Sequence, residues 1–128
     1  MGIDMKFCTA VNCMDGRVQL PIIEYLKKKF RVDFVDMITE AGPNRVLADH
    51  DNKSLVGSIL FRIKISVEKH GSKHIAIIGH HDCAGNPTGE AEQRGHTLKA
   101  VEVVKERFGN VDVIGLWADK NWVVTEIF

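Results

Sequence analysis

Apolar and polar positions change period several times along this chain, and each change marks an element. Residues 6–12 (KFCTAVN) form a short β-prone run closed by Asp15-Gly16, so a strand leads into a turn. Pro21 suits a first helical turn, and Ile22, Ile23, Leu26 and Phe30 recur at helical spacing with lysines on the other face. Residues 32–39 predict a second strand, ended by the turn-forming Glu40-Ala41-Gly42-Pro43-Asn44. From about Asp51 to His70 the apolar residues Leu55, Val56, Ile59, Leu60, Ile63 and Val67 repeat at three and four, with Gly71 at the C-cap position: the longest helix. Residues 74–79 (HIAIIG) are a continuous apolar run of the kind found in buried parallel strands. Residues 84–96, rich in Gly, Pro, Thr and Asn, read as a long functional loop. Thr97 then caps a helix through Phe108, residues 111–117 form a fourth strand, and residues 122–127 alternate as an antiparallel edge strand.

The order β-α-β-α-β-α-β-β predicts a three-layer α-β-α sandwich of the α/β class, with right-handed crossovers around a mostly parallel sheet. The expected strand order is 2-1-3-4 with the antiparallel strand at the C-terminal edge. At 128 residues the chain fits one domain, spanning 1–128. In this order strands one and three are neighbours whose connections leave in opposite directions, and ligands bind in the crevice beyond their carboxyl ends. Cys13 ends the first of these strands, while His80, His81, Asp82 and Cys83 end the third.

Composition narrows the function. With 45% hydrophobic and 27% charged residues the chain reads as soluble and globular. Lys plus Arg and Asp plus Glu each number 17, so no overall field draws it to nucleic acid or to an anionic membrane. No apolar run approaches the roughly 18 residues of a membrane span, and residues 1–6 are too short and polar for a secretory signal. A cytoplasmic location is expected. Three cysteines in that setting argue against a disulfide framework and toward thiolate chemistry or metal binding.

His80-x-x-Cys83 with a distant Cys13 supplies two thiolates and an imidazole, three of the four tetrahedral positions that zinc prefers. The fourth is left to water or to Asp15. Asp15 and Arg17 follow Cys13 closely enough to pair beside the metal, Arg17 keeping the carboxylate ionised. Asp82 reads as a loop or helix-cap acceptor that buttresses a ligand, and His81 and His96 as candidate proton relays. Cys8 falls inside the first strand and reads as a small apolar core residue. Trp117, Trp122 and Phe128 are assigned to the core or to a dimer surface. A cysteine-phosphatase anion loop is excluded, because no arginine follows Cys13 or Cys83 at the required spacing.

Cys13-Met14-Asp15-Gly16-Arg17 together with Gly79-His80-His81-Asp82-Cys83 resembles the β-class carbonic anhydrases, whose signatures read C-x-D-x-R and G-H-x-D-C. Glu40-Ala41-Gly42-Pro43-Asn44 is similar to that family's R-N-A-G-N segment, and the element order matches from about residue 5 to 127. The resemblance implies Zn2+ held by Cys13, His80 and Cys83, with an Asp15–Arg17 catalytic dyad. The implied reaction is reversible hydration of CO2 to bicarbonate by metal-bound hydroxide, that of a carbonate dehydratase-type zinc lyase. It also implies a homodimer or higher homo-oligomer, since the family builds much of its substrate pocket across a dimer interface. Two alternatives keep the site and change its use: hydrolysis of a CO2 analogue such as COS or CS2, or a non-catalytic metal-binding relative. The sequence departs from the family pattern at Met14 and Gly16, where serines are usual, and at Ala84, where glycine is.

Overall fold

In the computed structural model, which describes residues 5–128, β1 (Phe7–Cys13) lies inside a five-stranded sheet of order β2-β1-β3-β4-β5. Residues 1–4, part of the N-terminal stretch read above, lie outside the described residues. β2 (Phe34–Glu40), β3 (His74–His80) and β4 (Asp112–Ala118) run parallel to β1, and β5 (Val124–Glu126) pairs antiparallel with β4. The predicted strand order and antiparallel edge are therefore observed.

Each inner strand has side chains on both faces, and both faces are buried. Cys8, Ala10, Ala76, Ile78, Ile114 and Leu116 pack with Ile22 and Leu26 of α1 (Gln19–Phe30). On the other face Val11, Ile75, Ile77 and Val113 meet Ile59 and Ile63 of α3 (Lys53–Lys69), and Val101 and Val104 of α4 (Glu90–Arg107). This double burial is why β3 reads as an unbroken apolar run. Among the described residues, no helix is long and apolar enough to cross a membrane.

Two parts of the sequence reading are corrected. The cluster around Gly42-Pro43-Asn44 is not only a turn: it opens a short helix, α2 (Pro43–Asp49). Gly42 caps it in the left-handed region (φ 61°) and Pro43 occupies its first turn, where a missing N–H costs nothing. The long loop is also shorter than read. α4 starts at Glu90 rather than Thr97, its first turn carrying Glu90 and Glu92 against the helix dipole, with Arg94 paired to Glu90 one turn on.

Register opens the crevice. β1 follows β2 along its whole length and β3 follows β4 along its whole length, but β1 and β3 pair only over Thr9–Val11 and Ile75–Ile77. Beyond Val11 and Ile77 the two halves of the sheet part, at the point where the strand order reverses.

Gly57 in α3 and Gly95 in α4 are exposed, and a Cβ at either meets nothing within 4 Å. Gly57→Ala and Gly95→Ala are each expected to stabilise the fold by about 0.5–1 kcal/mol, read from urea unfolding midpoints. A lowered midpoint in either variant contradicts the solvent-facing placement.

Candidate metal centre

Cys13 closes β1 and His80 closes β3, one on each side of the gap, and the turn after His80 carries Cys83. The Cys13 and Cys83 sulfurs lie 3.8 Å apart, and the three ligand atoms of Cys13, His80 and Cys83 lie within 4.8 Å of one another, all on buried residues. The backbone around Cys13 is held firmly. Asn12 Oδ1 accepts its N–H at 2.9 Å, the Gln19 amide donates to its carbonyl, and the next N–H, of Met14, donates to the Glu40 carbonyl at 2.9 Å.

His80 Nδ1 donates to the His81 carbonyl at 2.7 Å, so Nε2 is the nitrogen with a free lone pair. Among the described residues, Nε2 is the one buried side-chain nitrogen or oxygen without a hydrogen-bond partner. Leaving such an atom unsatisfied costs about 1–3 kcal/mol. A ring fixed through Nδ1 on a carbonyl, with Nε2 beside two sulfurs, is the donor set that suits zinc.

The two thiols hold their protons unequally. The bond from Cys83 lowers Cys13 well below the ordinary thiol range against the opposing effect of burial; the neighbouring His80 ring and, less strongly, the backbone N–H groups of Gly42 and Asp15 add to this. The same bond, with burial, raises Cys83, although the N–H groups of Asn86 and Gly85 point at its sulfur. Burial disfavours charge on His80, and the Cys13 sulfur and the His81 carbonyl outweigh it, raising its affinity for a proton. Protons held in this way are the ones a divalent cation displaces on binding.

Next to the trio, Asp15 caps a 3-10 turn (Gly16–Val18) by accepting the Arg17 N–H at 2.9 Å, and the Arg17 side chain folds back onto it. Nη2 reaches Oδ2 at 2.7 Å and Nε reaches Oδ1 at 3.1 Å, a bidentate pair. The guanidinium lowers the Asp15 carboxyl to about 2, so it stays ionised across the neutral range. Both Asp15 oxygens are engaged by Arg17, and Asp15 is not part of the converging ligand set. Arg17 is also held by Asp82, at 3.3 Å to Oδ2 and 3.1 Å to the carbonyl, and lies 4.9 Å from the Trp122 ring centre. An open cleft of about 720 Å3 lies over this group, lined by Asp15, Arg17, His81, Cys83, Trp117 and Lys120 among others.

Residues 3–128 match a protein family described as "Putative carbonic anhydrase". The chain belongs to this carbonic anhydrase family. No curated protein matches it. Solved structures similar to it include a β-carbonic anhydrase of Aspergillus fumigatus, 14% identical, with a TM-score of 0.62 over 100% of this chain and 92% of that one. Another is isoform I from Trichomonas vaginalis, 19% identical, with a TM-score of 0.60 over 94% of this chain and 81% of that one. A third is one of two tetrameric β-carbonic anhydrases of Sordaria macrospora, 14% identical, with a TM-score of 0.58 over 98% of this chain and 82% of that one. At these identities the likeness is one of fold.

Within that family fold, Cys13, His80, Cys83, Asp15 and Arg17 form one group. His81 lines the cleft, whereas His96 is half-buried on α4 and accepts from Asn86 at 3.0 Å. Cys8 is fully buried, and burial followed by the nearby Asp36 charge pushes its thiol up to about 12, in keeping with an apolar role. Asp82 and Trp122 have more specific places than the sequence suggested: both hold Arg17, and the Trp122 ring lies 5.9 Å from that of His80. Sequence reasoning missed Asn44, Asn86 and Gln93, buried side chains packed behind the site. One signal was present: Gln93 and Thr97 continue at helical spacing the buried stripe of Ala100, Val101 and Val104.

Proposed function

We propose that the chain holds one zinc ion on Cys13, His80 and Cys83 and catalyses the reversible hydration of CO2 to bicarbonate. The observation that carries this reading is the partnerless Nε2 of His80, buried beside two sulfurs 3.8 Å apart and next to the Asp15–Arg17 pair. Family membership supports it. When bound, zinc supplies a Lewis acid that brings the ionisation of water into the neutral range.

The chain's own residues do the rest. Arg17 keeps Asp15 charged and draws its two oxygens away from the ligand trio, so the carboxylate serves as an acceptor for substrate-side hydrogen bonds rather than as a fourth ligand. Asp82 and Trp122 hold Arg17 in that pose. The open cleft admits a small linear substrate, and also buffer to carry off the proton that water releases.

The test is metal analysis of the purified protein followed by stopped-flow CO2 hydration on the same sample. About one zinc per chain and turnover above buffer background are expected. Zinc-loaded protein without hydration rejects the activity and leaves a metal-binding relative, and absence of zinc after reconstitution rejects the site. COS and CS2 assayed in parallel separate the CO2 reading from its sister substrates. Arg17→Leu is expected to retain zinc and to lose activity by roughly 100-fold, the scale of a lost charge-positioning group. Wild-type turnover in that variant removes the dyad from the mechanism.

We further propose self-association. Edge strand β2 presents an exposed Phe34, and α3 presents Phe61 and Ile65, apolar surface that a second copy is suited to cover. Sedimentation is expected to detect a dimer or larger assembly, and a monomer at micromolar concentration overturns this part.

A further inference from the structure

We propose that Gln93 is a positioning residue for His80, its side-chain amide standing where a neighbouring strand is missing beside β3. The His81 N–H donates to the Ala118 carbonyl of β4. By the alternation of a strand, the N–H and C=O of His80 itself face the opposite side, toward β1. There β1 has already parted from β3, so these two buried groups have no strand to bond. Gln93 meets both. Its Oε1 accepts the His80 N–H at 3.2 Å and its Nε2 donates to the His80 carbonyl at 2.7 Å.

The amide orientation is fixed by the backbone groups it serves, because an N–H can only donate and a carbonyl can only accept. Nε2 also reaches the Asn86 carbonyl at 3.4 Å, and the Asn86 N–H points at the Cys83 sulfur. One amide thus links the strand end that carries His80 to the turn that supports Cys83. Gln93 is fully buried and is held from behind: Asn44 Nδ2 donates to its Oε1 at 3.3 Å and to Thr97 Oγ1 at 3.1 Å, and Asn44 Oδ1 accepts from Asn86 at 3.2 Å. Gly79 leaves the room for this network, since a Cβ there meets Asn44 Nδ2 at 2.9 Å, Thr97 Oγ1 at 3.0 Å and Gln93 Oε1 at 3.1 Å. Nothing about the cleft or the surface accounts for a buried glutamine with four such contacts, and the aim of the His80 ring does.

The inference rests on the metal reading above, and the experiment separates the two. Metal-free protein is titrated with Co2+, following affinity and the visible cobalt spectrum, and its urea stability is measured alongside. Gln93→Met keeps the length and removes every hydrogen bond; it is expected to weaken Co2+ binding about 10–100-fold and to alter the spectrum. Gln93→Glu keeps an acceptor for the His80 N–H and is expected to recover part of the affinity. Thr97→Val disturbs the same network without touching His80, and is expected to lower urea stability while leaving affinity and spectrum at wild-type values. Wild-type protein that takes up no Co2+ fails the metal reading and this inference with it. Wild-type protein that binds, with Gln93→Met unchanged, or with Thr97→Val losing as much affinity as Gln93→Met, overturns the positioning role alone. Should Gln93→Met not fold, Gln93→Glu decides in its place: unchanged affinity and spectrum overturn the proposal.

Discussion

Replacing His80 with alanine is expected to abolish zinc retention and CO2 hydration together, a functional loss matched in the chain by replacing Cys13 or Cys83. Zinc sites built from such donors bind with apparent free energies of about 10–16 kcal/mol, so one of three protein donors carries several kcal/mol, or about three orders of magnitude in affinity. The effect on folding is smaller. The alanine removes a buried nitrogen that has no partner in the metal-free chain, which offsets part of the lost packing and the lost bond to the His81 carbonyl. Zinc stabilises the folded chain only as far as it binds it. Thermal unfolding is therefore expected to be similar for the two proteins in chelator, and to rise with added zinc in the wild type alone. A variant that keeps one zinc per chain, or a wild type whose unfolding ignores zinc, contradicts the assignment of Nε2 as a ligand.

What could be read from the chain, and what could not, divides along physical lines. Strand order followed from hydrophobic period and the handedness of crossovers, and it brought Cys13 to His80 across nearly seventy residues because both stand at strand ends. The turn-like cluster at residues 40–44 concealed α2, because a left-handed glycine and a following proline serve equally to make a turn and to start a helix. The first two turns of α4 were concealed by Gly89 and Gly95, while the contacts that hold them, from Gln93 to His80 and Asn86, depend on how distant segments meet. The hold of Asp82 on Arg17 spans 65 positions and rests on a left-handed Asp82 (φ 57°), for which neighbouring residues gave no sign. Local pattern thus specified the frame and the candidate ligands, and long-range contact specified what steadies them.

The second large effect is expected at the crossing of two loops, in Gly42→Ala and Gly85→Ala. A Cβ on Gly85 falls 2.4 Å from the Ala41 carbonyl carbon and 2.6 Å from the Gly42 nitrogen; one on Gly42 falls 2.6 Å from the Gly85 carbonyl carbon. These neighbours are backbone atoms, which cannot rotate aside, so the loops must separate by roughly 1 Å to reach ordinary contact. Overpacking of this kind costs about 1–3 kcal/mol, and in Gly42→Ala the left-handed φ of 61° adds about 1–2 kcal/mol. Gly42→Ala is therefore expected to be the more destabilising of the two in urea. The consequence for the site is specific, because the two loops supply the N–H donors to the sulfurs: Gly42 to Cys13, and Gly85 with Asn86 to Cys83. Moving the loops apart draws those donors off both thiolates, and zinc affinity is expected to fall about 10–100-fold in each variant. Gly57→Ala is the control, carrying the same added methyl into open space. Urea midpoints and zinc affinities at wild-type values in Gly42→Ala and Gly85→Ala would mean that the two loops do not touch, and that the sulfurs take their support from elsewhere.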